Sequence, residues 1–550
     1  MNKNIYTKAL NFFEKNAMII DNIYFRNLSL KISEIIPIYS EDSIFKVQSL
    51  FNENKFIKEF LGIEYKELKE KNEIYRFIKE LLGYLEVRLY NLVLENPVGY
   101  LISLYRMIDY NLQITPLIME TINKDVDKNE FLDGNIRILA NSIIEYKKQV
   151  NETKFKNDLR LVEHTIATDK QSLQKVVNFI ISYELRYSDV NIQTSLDLDG
   201  LIELARAIYY VLSIKQEIFS NIEELSLVIN EQRIITKSKK EVLNSFSGEL
   251  YDFLLKGTGT NFEFNDDIKE MMKNFIGVDS IEIEKAIEKS IREEYSFPGM
   301  MFLDECGIEE FLESFFMISK DDAKKLKNEL VLDRIKISKI PSDVSLKEGR
   351  LLRQSFLKLD ENLYVCSEIV FTFSLAGMLA DITEGIISNE KFAKKIFKYI
   401  NEMHLSFEED IKLLLESNTV HQFLRRGVQE NFFKDFELPG EIDILMVING
   451  VLFVVECKAF SLKFNLSNML SEVKKVKGVN DKKSIQQKLK FKVETLKQNI
   501  DIVENILNVK VKRIEGIIVT KNPSIASLTN SGFYDVVHSS QILKYINNRT

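Results

Sequence analysis

The chain has no tryptophan, and only 7 prolines, 3 cysteines and 4 histidines in 550 residues. So few prolines leave long stretches without a helix breaker, so long helices are expected. Cys306, Cys366 and Cys457 are odd in number and far apart, which argues against a disulfide framework or a Cys-rich zinc site. His164, His404, His421 and His538 lack ligand spacing, and neither HExxH nor paired CxxC occurs, so a zinc enzyme is not expected. The most apolar stretch, 369–380, is shorter than the roughly 20 residues a membrane helix needs. The opening MNKNIYTKALNFFEKN has no apolar signal core and no small-residue cleavage site. A soluble, reduced, cytoplasmic protein with no membrane partner is the expectation. Glycine is sparse, and LKGTGTNF around Gly257 and Gly259 matches neither GxxxxGK[ST] nor GxGxxG; it reads as a loop, not a phosphate cradle.

What is present is a globular composition, 45% apolar and 28% charged, with room for several domains. Residues 1–340 read as helix after helix, with no repeat period. Ile74, Ile78, Leu81, Leu85, Leu89 and Leu92 recur every three or four residues, and Pro97, preceded by Asn96, ends that segment. Similar stripes run through 172–186 and 199–236. Near 350 the texture changes: SFLKLDENLYVCSEIVFTF predicts a hairpin turning at Asp360-Glu361-Asn362. Helices resume over 375–415. From 421 the pattern predicts a helix carrying Phe423 and Phe432, two strands, a long helix, a further strand and a short end, an α/β signature. The organisation expected is a mostly α-helical region over 1–340, a connecting hairpin and helices over 341–420, and an α/β domain over 421–550.

Charge divides at the same place. The net −8 averages a C-terminal 421–550 with 20 Lys and Arg against 13 Asp and Glu, and a remainder with 54 against 69. Ten lysines and three acids lie between Lys463 and Lys497. A basic domain on an acidic chain is the footprint of a phosphate-backbone binder. Lys463, Lys474, Lys475 and Lys477 are the candidate backbone contacts.

The chemistry concentrates in GEIDILMVINGVLFVVECKAF, residues 440–460. Asn449-Gly450 between two apolar runs signals a two-residue type I′ turn. That turn places Ile448 opposite Val451, and counting back places Asp443 opposite Glu456 and Glu441 opposite Lys458. Side chains alternate, so these four share one face, with Leu445, Val447, Leu452 and Val454. The other face carries Ile442, Ile444, Met446, Ile448, Val451, Phe453, Val455 and Cys457. Both faces are apolar, so the hairpin is central and its charges crowd the open end. Carboxylates there are costly to desolvate and repel one another. A hard divalent cation, Mg²⁺ or Mn²⁺, relieves both effects and can polarise a phosphoryl oxygen. Lys458 beside it could orient or deprotonate a water, or stabilise developing negative charge. Cys457 faces the core and reads as packing.

Asp443 followed by Glu456-Cys457-Lys458 resembles the D…(D/E)xK signature of the PD-(D/E)xK, restriction-endonuclease-like nuclease superfamily, and GEIDIL…VVECKA looks closest to its NERD-like and restriction-type branches. The resemblance covers about the last 120 residues. It implies a mixed sheet flanked by helices and metal-dependent phosphodiester hydrolysis. Asp443 and Glu456 would be metal ligands and Lys458 the catalytic lysine. Glu430, in RRGVQENFF, best matches the Glu that such families add from the preceding helix, with Glu437 and Glu441 as rivals. Ile442 stands where the signature's proline would be. Ile485, Leu489, Val493, Leu496, Ile500, Val503 and Leu507 form an amphipathic stripe after the motif, and Gln486 is the residue matched to a Gln or Lys often found on that helix. Arg513 to Thr520 predicts a third core strand, Phe533 to His538 a fourth, and 540–547 a terminal helix. The function implied is a nuclease acting on DNA, in bacterial genome defence by analogy of fold. An RNase, or a non-catalytic assembly protein using the fold as scaffold, is the alternative. The acidic helical region would recognise a partner or trigger, or form a homo-oligomer.

Overall fold

The computed structural model describes residues 3–37, 54–62, 66–123, 134–183, 196–220, 225–230, 233–238, 266–291, 299–334, 351–383, 390–460, 466–478, 484–527 and 532–550. Gly257, Gly259 and Lys463 lie outside them. Among the described residues no helix is long and apolar enough to cross a membrane. Helix dominates, and the chain forms two compact units. One comprises the described parts of Met1–Lys215, Ser226–Lys237 and Phe264–Asp381, the other those of Gln216–Leu225, Ser238–Glu263 and Ile382–Thr550.

The first unit is mainly helices. Ile74, Ile78, Leu81, Leu85 and Leu89 are all buried on the helix Lys71–Val93. The next helix begins at Pro97, where a missing N–H costs nothing, and Asn96 Oδ1 accepts from the Gly99 N–H at 2.9 Å. The unit is less purely helical than its sequence suggested. The stripe expected over 199–236 is helix only through Ser220. Leu225–Asn230 and Arg233–Ser238 are strands of a three-stranded sheet with Lys66–Leu68, helped by the β-branched Val228, Ile229, Ile234, Ile235 and Thr236. The hairpin expected near 360 forms from Phe356–Asp360 and Leu363–Ser367. It joins Met300–Leu303 and Val331–Leu332 in one four-stranded sheet. Tyr105 ties this hairpin to the helix Pro97–Asn123: its hydroxyl donates to Ser355 O at 2.8 Å and accepts from the Ser367 N–H at 3.1 Å.

The second unit is an α/β sandwich. Its elements are α1 (Glu390–Asn418), β1 (Phe423–Val428), β2 (Ile442–Ile448), β3 (Val451–Lys458), α2 (Leu466–Lys477), α3 (Ile485–Gln498), α4 (Ile500–Leu507), β4 (Arg513–Thr520), β5 (Asp535–His538) and α5 (Ile542–Asn547). The sheet order is β5-β4-β3-β2-β1. β1, β2 and β3 run antiparallel, while β4 and β5 run parallel to β3. The turn forms as the sequence requires: Asn449 and Gly450 have φ of 52° and 81°, and Ile448 pairs with Val451 and Ile444 with Val455. One face packs Leu445, Val447, Leu452 and Val454 against Leu489, Val493 and Leu496 of α3. Ile442, expected on the other face, joins this cluster at the strand end beside its partner Val428. The other face packs Ile444, Met446, Phe453, Val455 and Cys457 against Phe407, Ile411 and Leu415 of α1 and Ile542 and Ile546 of α5.

Two expectations for this unit are corrected. The segment after 421 is not a helix: it is β1, followed by a turn-rich stretch, and the helix before the hairpin is α1. The unit therefore takes in residues ahead of 421. The single helix expected from 482 to 507 breaks at Asn499, whose φ and ψ of −119° and 32° are not helical.

Candidate active site

The open end of the β2–β3 hairpin brings Asp443, Glu456 and Lys458 together. Lys458 Nζ stands 2.9 Å from Glu456 Oε1 and 3.3 Å from Asp443 Oδ2, and donates to the Cys457 carbonyl at 2.8 Å. Asp443 Oδ2 also accepts the Cys457 N–H at 2.7 Å, which fixes the carboxylate against the neighbouring strand. Both carboxylates are buried, at 9% and 8% exposure. A fourth group, which the sequence reading missed, closes the cluster: Lys492 of α3 donates to Glu456 Oε2 at 2.7 Å. Glu456 thus has an ammonium at each oxygen.

This arrangement splits the two carboxylates electrostatically. Burial and then the Glu456 charge push Asp443 above the usual carboxylate range, despite Lys458. Burial also acts to raise Glu456, but Lys458 and Lys492 outweigh it and hold it below. Glu456 is the ionised anchor, and Asp443 is the member of the pair that takes a proton first. Burial opposes the Lys458 ammonium, yet Glu456 and Asp443 keep it charged well past neutrality.

None of the three expected carboxylates joins the cluster, while a different one, on the preceding helix, feels the Asp443 charge. Glu430 is exposed in the turn-rich stretch after β1, where only its carbonyl is engaged, by the Leu438 N–H at 2.9 Å. Glu437 is exposed there too, and Glu441, at the rim, accepts from Gln429 Nε2 at 2.7 Å. The helical carboxylate is Glu408 of α1. It is half-buried, and burial followed by the nearby Asp443 charge pushes it up to about 7. Gln486 is likewise not joined to the cluster. Fully buried on α3, its Oε1 accepts the Phe533 and Tyr534 N–H groups at 3.1 and 2.9 Å, and its Nε2 donates to Tyr534 O at 2.6 Å. It fastens the approach to β5; Lys492 is the α3 residue that reaches the acidic pair.

Among the described residues no three His, Cys, Asp or Glu side chains are grouped closely enough to hold a metal between them. The donor set is instead two carboxylates and a backbone carbonyl. Asp443 Oδ2, Glu456 Oε1 and Cys457 O all converge on one cation, the Lys458 ammonium. Hard oxygens around a positive charge suit Mg²⁺ or Mn²⁺, which binds one or two carboxylates and completes its shell with water and substrate phosphate. Cys457 is buried, and its thiol is raised by burial, so it is no nucleophile. Of the surface lysines, Lys474 and Lys475 are exposed on α2, the latter over the Phe460 ring at 5.4 Å, and Lys477 is half-buried.

No family model, no curated protein and no solved structure matches the chain.

Proposed function

We propose that the chain is a divalent-metal-dependent nuclease of the PD-(D/E)xK type, with its active site at the open end of the β2–β3 hairpin, hydrolysing phosphodiester bonds in DNA. The observation that carries this reading is the convergence of Asp443 Oδ2, Glu456 Oε1 and Cys457 O on a single cation position, with Lys458 in reach of all three. Asp443, Glu456 and the Cys457 carbonyl would hold Mg²⁺ or Mn²⁺, which when bound polarises the phosphoryl oxygen and acidifies a water. Lys492 keeps Glu456 ionised and oriented. Lys458 carries a positive charge to the place where the transition state accumulates negative charge. Glu408, near 7, can accept a proton at neutral pH from the direction of α1. The exposed lysines of α2 suit backbone phosphates.

Digestion of circular DNA, linear DNA and RNA with Mg²⁺ or Mn²⁺ tests this. Wild type is expected to cut DNA, and Asp443→Asn, Glu456→Gln and Lys458→Ala to lose at least a hundredfold in rate. Lys474→Ala with Lys475→Ala should weaken DNA binding and flatten its salt dependence by about 1.8 in log–log slope. Full activity in Glu456→Gln would overturn the site; cleavage of RNA alone would overturn the substrate.

A further inference from the structure

The Lys458 ammonium occupies the position where three oxygens would bind a divalent cation, so the two cannot be there together. If the site takes a metal, the ammonium needs somewhere else to go, with acceptors and without re-entering water across a buried surface. The described residues offer such a place on the other flank of β3. β3 lies between β2, which carries Asp443, and β4. Lys458 now leans toward β2. Its register partner on the other flank is Thr520 of β4, in a parallel ladder where paired side chains share a face. Thr520 is 1% exposed, and its hydroxyl oxygen is buried without a hydrogen-bond partner. Two residues on, Asn522 donates through Nδ2 to Phe460 O at 2.7 Å, while its Oδ1 is likewise buried and unpartnered. Leaving a buried polar group unpaired carries its full desolvation cost, so two together on the flank of β3 call for a donor. An ammonium offers three donors on a four-carbon stem.

We propose that Lys458 has two seats, and that Thr520 is the positioning residue that receives its ammonium when a divalent cation occupies the oxygens of Asp443, Glu456 and Cys457. The identity of the cation rests on the nuclease reading above; the second seat rests on the unpaired Thr520 hydroxyl. In the first seat Lys458 neutralises the carboxylates and the hairpin folds without metal. In the second it stands beside the cation position, and its charge is available to substrate. Metal loading and the placing of the catalytic lysine become one event.

The test is Mn²⁺ affinity of the full chain, read from the free-ion electron paramagnetic resonance signal, with no turnover involved. Four proteins are compared: wild type, Thr520→Val, Lys458→Met and the double variant. Loss of a hydrogen bond to a charged group predicts that Thr520→Val weakens Mn²⁺ binding about tenfold. The same change in the Lys458→Met background should alter affinity less than about twofold, because no ammonium needs the second seat. Thr520→Ser, which keeps the hydroxyl, should bind like wild type, and Thr520→Ala replaces the valine variant if that fails to fold. An equal effect of Thr520→Val in both backgrounds, or none in either, overturns the two-seat proposal while leaving the nuclease reading intact. Wild-type Mn²⁺ binding that is absent or indifferent to Asp443→Asn overturns the nuclease reading, and the two-seat proposal with it.

Discussion

Replacing Lys492 by methionine isolates the one group of the cluster that lies outside the hairpin. Methionine keeps an unbranched apolar stem on α3 and removes only the ammonium. Lys492 Nζ is 2.7 Å from Glu456 Oε2, and the two side chains are 6% and 11% exposed. Unpairing a buried charge costs about 3–5 kcal/mol, and a single charge-assisted hydrogen bond is worth about 1.5–3. Lys458 still faces the other oxygen of Glu456, so the loss should lie between these, about 2–3 kcal/mol. The chain has two compact units, so a single global unfolding free energy would mix them. Amide hydrogen exchange of peptides covering 451–458 and 513–520 reads the affected sheet directly: about 2 kcal/mol is a roughly 30-fold faster exchange through local opening. The sign with pH follows from Glu456. Its folded value is depressed, so its stabilising contribution is present above the unfolded carboxylate value and lost as pH falls through the folded one. The defect of Lys492→Met should therefore shrink in acid. It should also largely vanish when Glu456 is already glutamine, since the double variant has no charge left to neutralise. A coupling energy below about 0.5 kcal/mol between the two positions would refute the claim that Lys492 anchors Glu456.

Glu408 behaves in the opposite sense. Its folded value is raised to about 7, so between the unfolded value and 7 the folded state holds a proton the unfolded state lacks, and stability falls as pH rises through 7. Glu408→Gln should stabilise the folded chain at pH 8, by no more than about 1–2 kcal/mol for a half-buried group, and so raise the melting temperature in circular dichroism melts, while leaving it unchanged at pH 4. For Gln486, three hydrogen bonds to the Phe533–Tyr534 backbone predict that Gln486→Leu loosens β5 by about 2–4 kcal/mol in the exchange of peptides over 533–538, with Mn²⁺ affinity unchanged. Intact β5 protection with lost cleavage would instead make Gln486 catalytic.

What was legible and what was not follows from how far apart the cooperating residues lie. The hairpin is local: Asn449 and Gly450 supply the two positive-φ positions, and from there the period of two fixes which residues oppose each other. A slip of one residue would have sent Asp443 and Glu456 to opposite faces, so the turn determines the chemistry as much as the strands do. β4, with its run of Ile and Val, was equally legible, and its limits are those the sequence suggested. The helical corrections arose where apolar residues fit two periods at once. Over 225–238 the residues Leu225, Val228 and Ile229 fit a helix stripe while Leu225, Leu227 and Ile229 fit strand alternation, and pairing with Lys66–Leu68, far upstream, decides it. Lys492 had a signal that went unread. It lies at a stripe position among Leu489, Val493 and Leu496, all buried, and lysine is almost never buried unless paired. A lysine inside the apolar stripe of the helix that covers an acidic strand end is a candidate partner for the acids. Glu408 carried a weaker signal, flanking Phe407 and Ile411 on a helix that a strand separates from the hairpin.

The charge balance of the cluster separates folding from catalysis. Small metal domains unfold without their ion because the free energy of binding it is a large part of their folding free energy. Here Glu456 is met by two ammoniums and Asp443 by one ammonium and a backbone N–H, so the carboxylates are compensated before any metal arrives. Chelation is therefore expected to stop cleavage and to lower the exchange protection of β3 and β4 by no more than the ion's own binding contribution, about 0.4 kcal/mol at a free-ion concentration equal to its Kd. Lys458→Met inverts this. With the ammonium gone from its three oxygens, Glu456 keeps Lys492 and Asp443 keeps only the Cys457 N–H, and the sheet should then gain more protection on adding Mn²⁺ than the wild type does, by an amount that grows with ion concentration as ligand-linked stability must. A sheet that unfolds on chelation in the wild type would contradict the compensation read from these contacts.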